Sequence, residues 1–233
     1  MEKSLLSVDW DYFFNTRNNN LGSCLENNKN IINLWYKRYF QLKENGKNIQ
    51  NLFQLSPEVN NFWSKIKIHF KFSKDLQVYV SDSHALSYNI TVKNMCNTVY
   101  LFDAHADLGY GGLSSLNFEV NCANWLGKLL KNKIINEAEI IYSPFTKEKP
   151  EDFKHICKSL NARFIALNDL DGRQAISAVH ICRSGAWTPP WFDEQFFQFV
   201  KSLVPYYKII NCPRRKWDTK HLSFSDRIFY FIA

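Results

Sequence analysis

Seven short runs, rich in β-branched and aromatic residues, constrain the fold more than anything else in the chain. They are SLLSV (4–8), LQVYV (76–80), TVYLF (98–102), EIIYS (139–143), RFIAL (163–167), SAVHI (177–181) and YKIIN (207–211). A strand with one wet face alternates polar and apolar side chains, whereas most of these runs are nearly continuous in apolar character. They therefore read as strands covered on both faces. Helical patterns lie between them, over 31–42, from the Ser56-Pro57-Glu58 start signal to about His69, and over 124–131, 150–160 and 191–203. Strand and helix alternate almost throughout, so the expected fold class is α/β, three layers (α/β/α) around a mostly parallel sheet. The 233 residues carry no fixed-period repeat and no Pro/Gly-rich linker, so residues 1–233 are read as a single domain.

In open α/β sheets, sites form where loops diverge at the carboxyl ends of the strands. Four of the runs end in polar clusters: SLLSV in Asp9 and Asp11, LQVYV in Ser81, Asp82, Ser83 and His84, TVYLF in Asp103, His105 and Asp107, and SAVHI in Cys182, Arg183 and Ser184. Parallel strands would bring all four to one edge. In extended backbone, residues two apart point the same way, so D-x-H-x-D and D-x-D each aim at a common point. Four unpaired carboxylates gathered there would repel and raise one another's pKa values. No lysine stands near either motif, so a pair of divalent metal ions is the expected counter-charge. Oxygen ligands with one or two imidazoles suit a hard first-row ion, Mn²⁺ ahead of Fe²⁺, Co²⁺ or Zn²⁺. Two such ions ~3.5 Å apart, sharing a bridging hydroxide, would present a nucleophile at neutral pH.

FDAHADLGYGG (102–112) resembles the D-A-H-x-D signature of the ureohydrolases, the family of arginase and agmatinase, and VDWDYFF (8–14) resembles their D-x-D strand end. His84, in SDSHALSY, takes the place of the family histidine that closes the preceding strand. The resemblance implies an arginase/deacetylase-like fold and a dinuclear manganese site held by Asp9, Asp11, His84, Asp103, His105 and Asp107. Asp103 and Asp9 would bridge the ions, with His84 on one and His105 on the other. The family carries D-x-D after D-A-H-x-D and continues it to Asp-Pro; here it comes first and continues Tyr-Phe-Phe, as in a circular permutation. The family's proton-shuttle histidine also has no counterpart between Asp107 and Leu130.

The N-terminal D-W-D-Y-F, the central D-A-H-A-D-L-G-Y and the late C-R-S-G-A-W-T-P-P-W are similar to a smaller branch, the peptide arginases. Those convert arginine side chains of ribosomally made precursor peptides to ornithine, with loss of urea, so the implied partner is an arginine-containing precursor peptide. In that reading Asp11 or Asp107 relays a proton to the leaving amine. Glu119, or failing it Glu26, holds the guanidinium, which a carboxylate matches bidentately. Trp187 and Trp191 rim the mouth, and Arg183 holds a peptide carbonyl or braces a metal ligand.

Other readings compete. Asp169 and Asp171 in NDLDG are read first as an Asx turn with Gly172, yet they form a rival D-x-D and the chief competitor to Asp9 and Asp11. Cys182 reads as a small buried side chain, Trp35, Trp63 and Trp125 as core, and His69, His155, His180 and His221 show no partner pattern. The nearest alternative function is a small-molecule ureohydrolase acting on arginine or agmatine. A metal-dependent deacylase would use a histidine pair that the chain lacks, and a non-catalytic peptide-binding protein would have no need of six ligands. Six scattered cysteines without C-x-x-C, and no long apolar stretch, fit a soluble cytoplasmic protein without a membrane anchor. Net charge is +7, but the basic residues are dispersed, and the densest group, Arg214-Arg215-Lys216, carries no nucleic-acid signature. Nucleic acid is not an expected partner.

Overall fold

A computed structural model describes residues 3–16, 31–170 and 174–232. Its strands are β1 (Ser4–Asp9), β2 (Phe14–Thr16), β3 (Phe53–Leu55), β4 (Phe70–Ser81), β5 (Thr98–Asp103), β6 (Glu137–Tyr142), β7 (Ala162–Phe164), β8 (Gln174–Cys182) and β9 (Lys208–Ile210). Its helices are α1 (Ile31–Glu44), α2 (Phe62–His69), α3 (Leu86–Asn94), α4 (Trp125–Lys131), α5 (Lys154–Ser159), α6 (Asp193–Leu203) and α7 (Phe224–Ile232). The seven apolar runs form one sheet in the order β7-β6-β5-β1-β8-β4-β9, and every pairing in it is parallel. β2 and β3 make a separate antiparallel pair.

Both faces are covered, which is why the runs do not alternate. Leu6 and Val8 of β1, Val80 of β4 and Phe102 of β5 pack with Trp35 of α1, Trp63 of α2 and Phe199 of α6. Leu5, Tyr79, Val99, Leu101 and Ala178 face the other way, onto Ile90 of α3, Trp125 and Leu129 of α4 and Ile156 of α5. Each buried Val, Leu, Ile or Phe among them contributes roughly 1.5–3 kcal/mol by leaving water. Among the described residues, no helix is long and apolar enough to cross a membrane.

Several boundaries differ from expectation for local reasons. Prolines at the starts of three expected helices open tight 3₁₀ turns, Pro57–Asn60, Pro150–Phe153 and Pro190–Phe192, and regular helix begins only after them. β4 starts six residues before its apolar run, because Phe70 to Phe72 also pair with β8 across a register shift. β7 stops at Phe164, and the chain then turns through Leu167–Asp169. Two helices have no counterpart among the expected ones: α3, whose LSYNITVKN lacks an apolar stripe, and α7, which stacks Tyr230 on Tyr36 of α1 with ring centres 4.5 Å apart.

Register then sets the site. Val8 lies opposite Phe102 and Asp9 opposite Cys182, so β1, β5 and β8 end side by side, with Ser81 of β4 beside Cys182. All four polar clusters therefore open on one edge.

Candidate metal centre

Asp9 and Asp103 are the last residues of neighbouring strands, and the backbone turns immediately after each. Asp9 Oδ1 accepts from the Asp11 amide at 2.9 Å, and Asp103 Oδ1 from the His105 amide at 2.8 Å. The convergence expected from extended backbone is thus achieved by turns. Asp11 sits in a 3₁₀ turn, Trp10–Phe13, and Asp107 takes the left-handed φ of 51° that brings its carboxylate back toward the strand ends. The α4 amides of Leu126 and Gly127 hold the Asp107 carbonyl, and a Cβ on Gly127 would stand 2.5 Å from the Leu108 carbonyl, so that contact needs glycine.

The side chains form two groups that share one residue. In the first, His84 Nδ1 faces Asp9 Oδ2 at 3.1 Å, Asp103 Oδ2 at 2.9 Å and Asp107 Oδ2 at 3.0 Å. In the second, His105 Nδ1 faces Asp11 Oδ2 at 3.0 Å and Asp103 Oδ1 at 3.4 Å. Candidate ligand atoms of Asp9, His84 and Asp103, and those of Asp11, Asp103 and His105, lie within 4.8 Å of one another in each set. The two oxygens of Asp103 are divided between the sets. Among the described residues, the fully buried His84 Nδ1 and Asp103 Oδ2 have no hydrogen-bond partner of good geometry, although three carboxylate oxygens crowd that one nitrogen. Buried polar atoms left in this way are costly unless a ligand meets them. These buried Asp and His groups can hold a metal ion.

Proton affinities point the same way. Burial and the repulsion of Asp11, Asp107 and Asp9 push Asp103 well above the ordinary carboxylate range, and burial with Asp11 raises Asp9 to about 6. Burial also pulls Asp11 upward, but the His105 charge and hydrogen bond outweigh it and hold this group low. His84 and His105 are raised well above the ordinary imidazole value, because their carboxylate neighbours outweigh the burial that opposes their charge. Without a metal, protons supply the missing positive charge.

A pocket of about 780 Å³ opens over these groups. Its walls include Trp187, Tyr110, Asn121, Cys122 and Glu148. Glu148, from the loop after β6, was not anticipated. Its carboxylate accepts from the Ala106 amide at 2.9 Å and from the hydroxyls of Tyr110 at 2.5 Å and Tyr142 at 3.1 Å, and burial raises its pKa. The same loop clasps both motifs: the Ser143 amide donates to the Asp103 carbonyl at 2.8 Å and the Ser143 hydroxyl to the Tyr12 carbonyl at 2.7 Å.

Other expected residues lie elsewhere. Glu119 is exposed and outside the pocket wall, and its carbonyl accepts from Asn121 and Asn124. Glu26 and Asp171 fall outside the described residues. Asp169 is exposed, caps its own turn through the Ala166 amide and does not line the pocket. Arg183, expected to hold a peptide carbonyl or brace a metal ligand, lies outside the pocket wall and bonds none of the six candidate ligands. It is fully buried, forked onto Asp82 by two 2.8 Å bonds and reaching Asp193 at 2.9 Å. The buried Asp82 and the partly buried Asp193 were better partners for a guanidinium than solvent and peptide. Trp191 packs against Trp35, Phe53 and Trp217 in the core, leaving Trp187 at the pocket.

Two residues read as unremarkable prove to support the site. Trp125 is buried as expected, yet its Nε1 donates to Asp107 Oδ2 at 2.6 Å and its ring lies 5.0 Å from that of His84. His180, without a visible partner in sequence, is bonded on both ring nitrogens by Ser81 and Ser87. The Ser184 hydroxyl, on a residue with φ 48°, donates to Asp9 Oδ2. Comparison with protein-family models, with curated proteins and with solved structures returned no match to this chain.

Proposed function

We propose that this pocket is the active site of a dinuclear metal hydrolase that cleaves the guanidinium of arginine side chains in a peptide, leaving ornithine and urea. The observation that carries the reading is the pair of carboxylate–imidazole groups sharing Asp103, with His84 Nδ1 and Asp103 Oδ2 buried and unsatisfied. Asp9, Asp103, His84 and Asp107 would hold one ion, and Asp11, Asp103 and His105 the other. The oxygen-rich donor set favours Mn²⁺. When bound, such a pair supplies Lewis acidity and activates water near neutral pH.

The chain's own groups do the rest. Glu148, at the pocket wall and anchored by Tyr110, Tyr142 and the Ala106 amide, is in place to accept hydrogen bonds from a planar cation, the role first sought in Glu119 and Glu26. Water adds to the guanidinium carbon, the bond to the side-chain nitrogen breaks, and Asp11 or Asp107 passes the departing amine its proton. Trp187 and the exposed Tyr110, both lining the pocket of about 780 Å³, suit a peptide better than a free amino acid.

The test is incubation of the purified protein with Mn²⁺ and, separately, an arginine-containing peptide, free arginine, agmatine and an acetyl-lysine peptide. Urea release, with the mass loss of arginine-to-ornithine conversion, is expected with the peptide. Turnover of arginine or agmatine alone would make it a small-molecule ureohydrolase, release of acetate a deacylase, and peptide binding without turnover a binding protein.

A further inference from the structure

A polar seam crosses the otherwise apolar face between the sheet and α3. His84 Nε2 lies 2.8 Å from Ser7 Oγ, and Ser7 Oγ lies 3.0 Å from Ser87 Oγ. Ser87 Oγ lies 2.5 Å from His180 Nδ1, His180 Nε2 lies 2.8 Å from Ser81 Oγ, and Ser81 Oγ donates to the Ser83 carbonyl at 2.9 Å. All five side chains are buried.

The direction of these bonds can be worked out from the far end. A carbonyl only accepts, so the one hydroxyl proton of Ser81 goes to Ser83, and Ser81 must accept from His180 Nε2–H. His180 is fully buried, and no carboxylate bonds its ring among the described residues, so it is a neutral imidazole with a bare Nδ1. That nitrogen takes the Ser87 proton, Ser87 accepts from Ser7, and Ser7 accepts from His84 Nε2–H. The opposite nitrogen, His84 Nδ1, is left with its lone pair aimed at oxygens of Asp9, Asp103 and Asp107, 2.9 to 3.1 Å away. A lone pair so placed must hold a cation, a proton in the metal-free protein or a metal ion when one binds.

We propose that His180 is a positioning residue: through Ser87 and Ser7 it fixes His84 as the Nε2–H tautomer, whose Nδ1 takes up a divalent metal ion. Partners that orient a ligating imidazole in this way commonly govern metal affinity. The proposal rests on the reading of the pocket as a metal site and extends it to a residue in the core.

Long-range ¹H–¹⁵N correlation of the metal-free protein reads the His180 tautomer directly. A ring protonated on Nε2 and bare on Nδ1 is expected; protonation on Nδ1, or on both nitrogens, overturns the proposal. In parallel, Mn²⁺ is titrated into the wild type, Ser87→Ala and His180→Phe, with Ser7→Ala as the variant of least disturbance should another not fold. Each is expected to bind Mn²⁺ roughly 10–100-fold more weakly. A purely structural role would lower the melting temperature of the metal-free variants and leave the Mn²⁺ affinity of the folded protein unchanged, and that result overturns the relay alone. A wild type that takes up no Mn²⁺ overturns the metal-site reading, and the relay with it.

Discussion

Behind the loop of residues 183–188, Asp82 and Asp193 face Arg183 and Arg215, two acids against two permanent cations. In front of it, the ionisable partners of Asp9, Asp11, Asp103 and Asp107 among the described residues are His84 and His105. Both clusters are buried at the same edge of the sheet, yet they differ in what neutralises them. Guanidinium keeps its charge at any working pH, so the rear cluster is closed, and Arg215 spends its remaining donors on the Gly185 and Thr188 carbonyls at 2.7 Å. Imidazole carries its charge on a proton that a metal ion can displace, so the front cluster depends on something exchangeable for its positive charge. The rear pair holds the loop in shape; the front set is where a cation is needed.

The contrast would break most completely at Asp103. Asp103→Ala is expected to lose metal from both groups, and urea release with it, while the metal-free protein melts higher than wild type because repulsion is relieved. Metal analysis and calorimetry check both, and full metal retention would mean that the charge argument is wrong. Arg183→Ala should act in the opposite sense. It leaves Asp82 buried without its partner, at a cost of about 3–5 kcal/mol and roughly 10 °C in melting temperature, with unchanged Mn²⁺ per folded chain.

A smaller effect is expected at the pocket wall. Glu148→Gln keeps the shape and removes the charge, and should lower kcat/KM about tenfold or more, mainly through KM, with Mn²⁺ binding intact. Steady-state kinetics on the peptide beside a metal titration would show it. The smallest effect is a tilt with pH. Asp9 is raised from 3.8 to about 6, so its contribution to metal-free stability is present below about 4 and lost as pH rises through 6. His84 and His105, raised above 6.5, lose theirs at still higher pH. Metal-free protein should therefore lose several degrees of melting temperature as pH rises above 6. Metal-saturated protein should gain over the same range, because the metal competes with those protons; melting scans with and without Mn²⁺ separate the two slopes.

What could be read in advance depended on how local its cause was. The strand runs were legible because continuous apolar character follows from burial on both faces. Asp103, His105 and Asp107 were legible because their spacing is short enough for one turn to gather them. Glu148 was not, since an acid in TKEKPEDF looks like any loop charge until Tyr110 and Tyr142 close on it. Arg183 was misplaced because its partner Asp82 is about a hundred residues away in sequence. His180 in SAVHI reads as a strand residue, and only the α3 hydroxyl of Ser87 makes it a link.

The amino-acid sequence by itself determined a parallel α/β sheet with acids and imidazoles at its strand ends, because hydrophobic period and residue spacing act within a few residues. Tertiary structure alone decided which of those charges are matched and which are left waiting. That depends on strand register and on which distant side chains the packed helices bring within 3 Å.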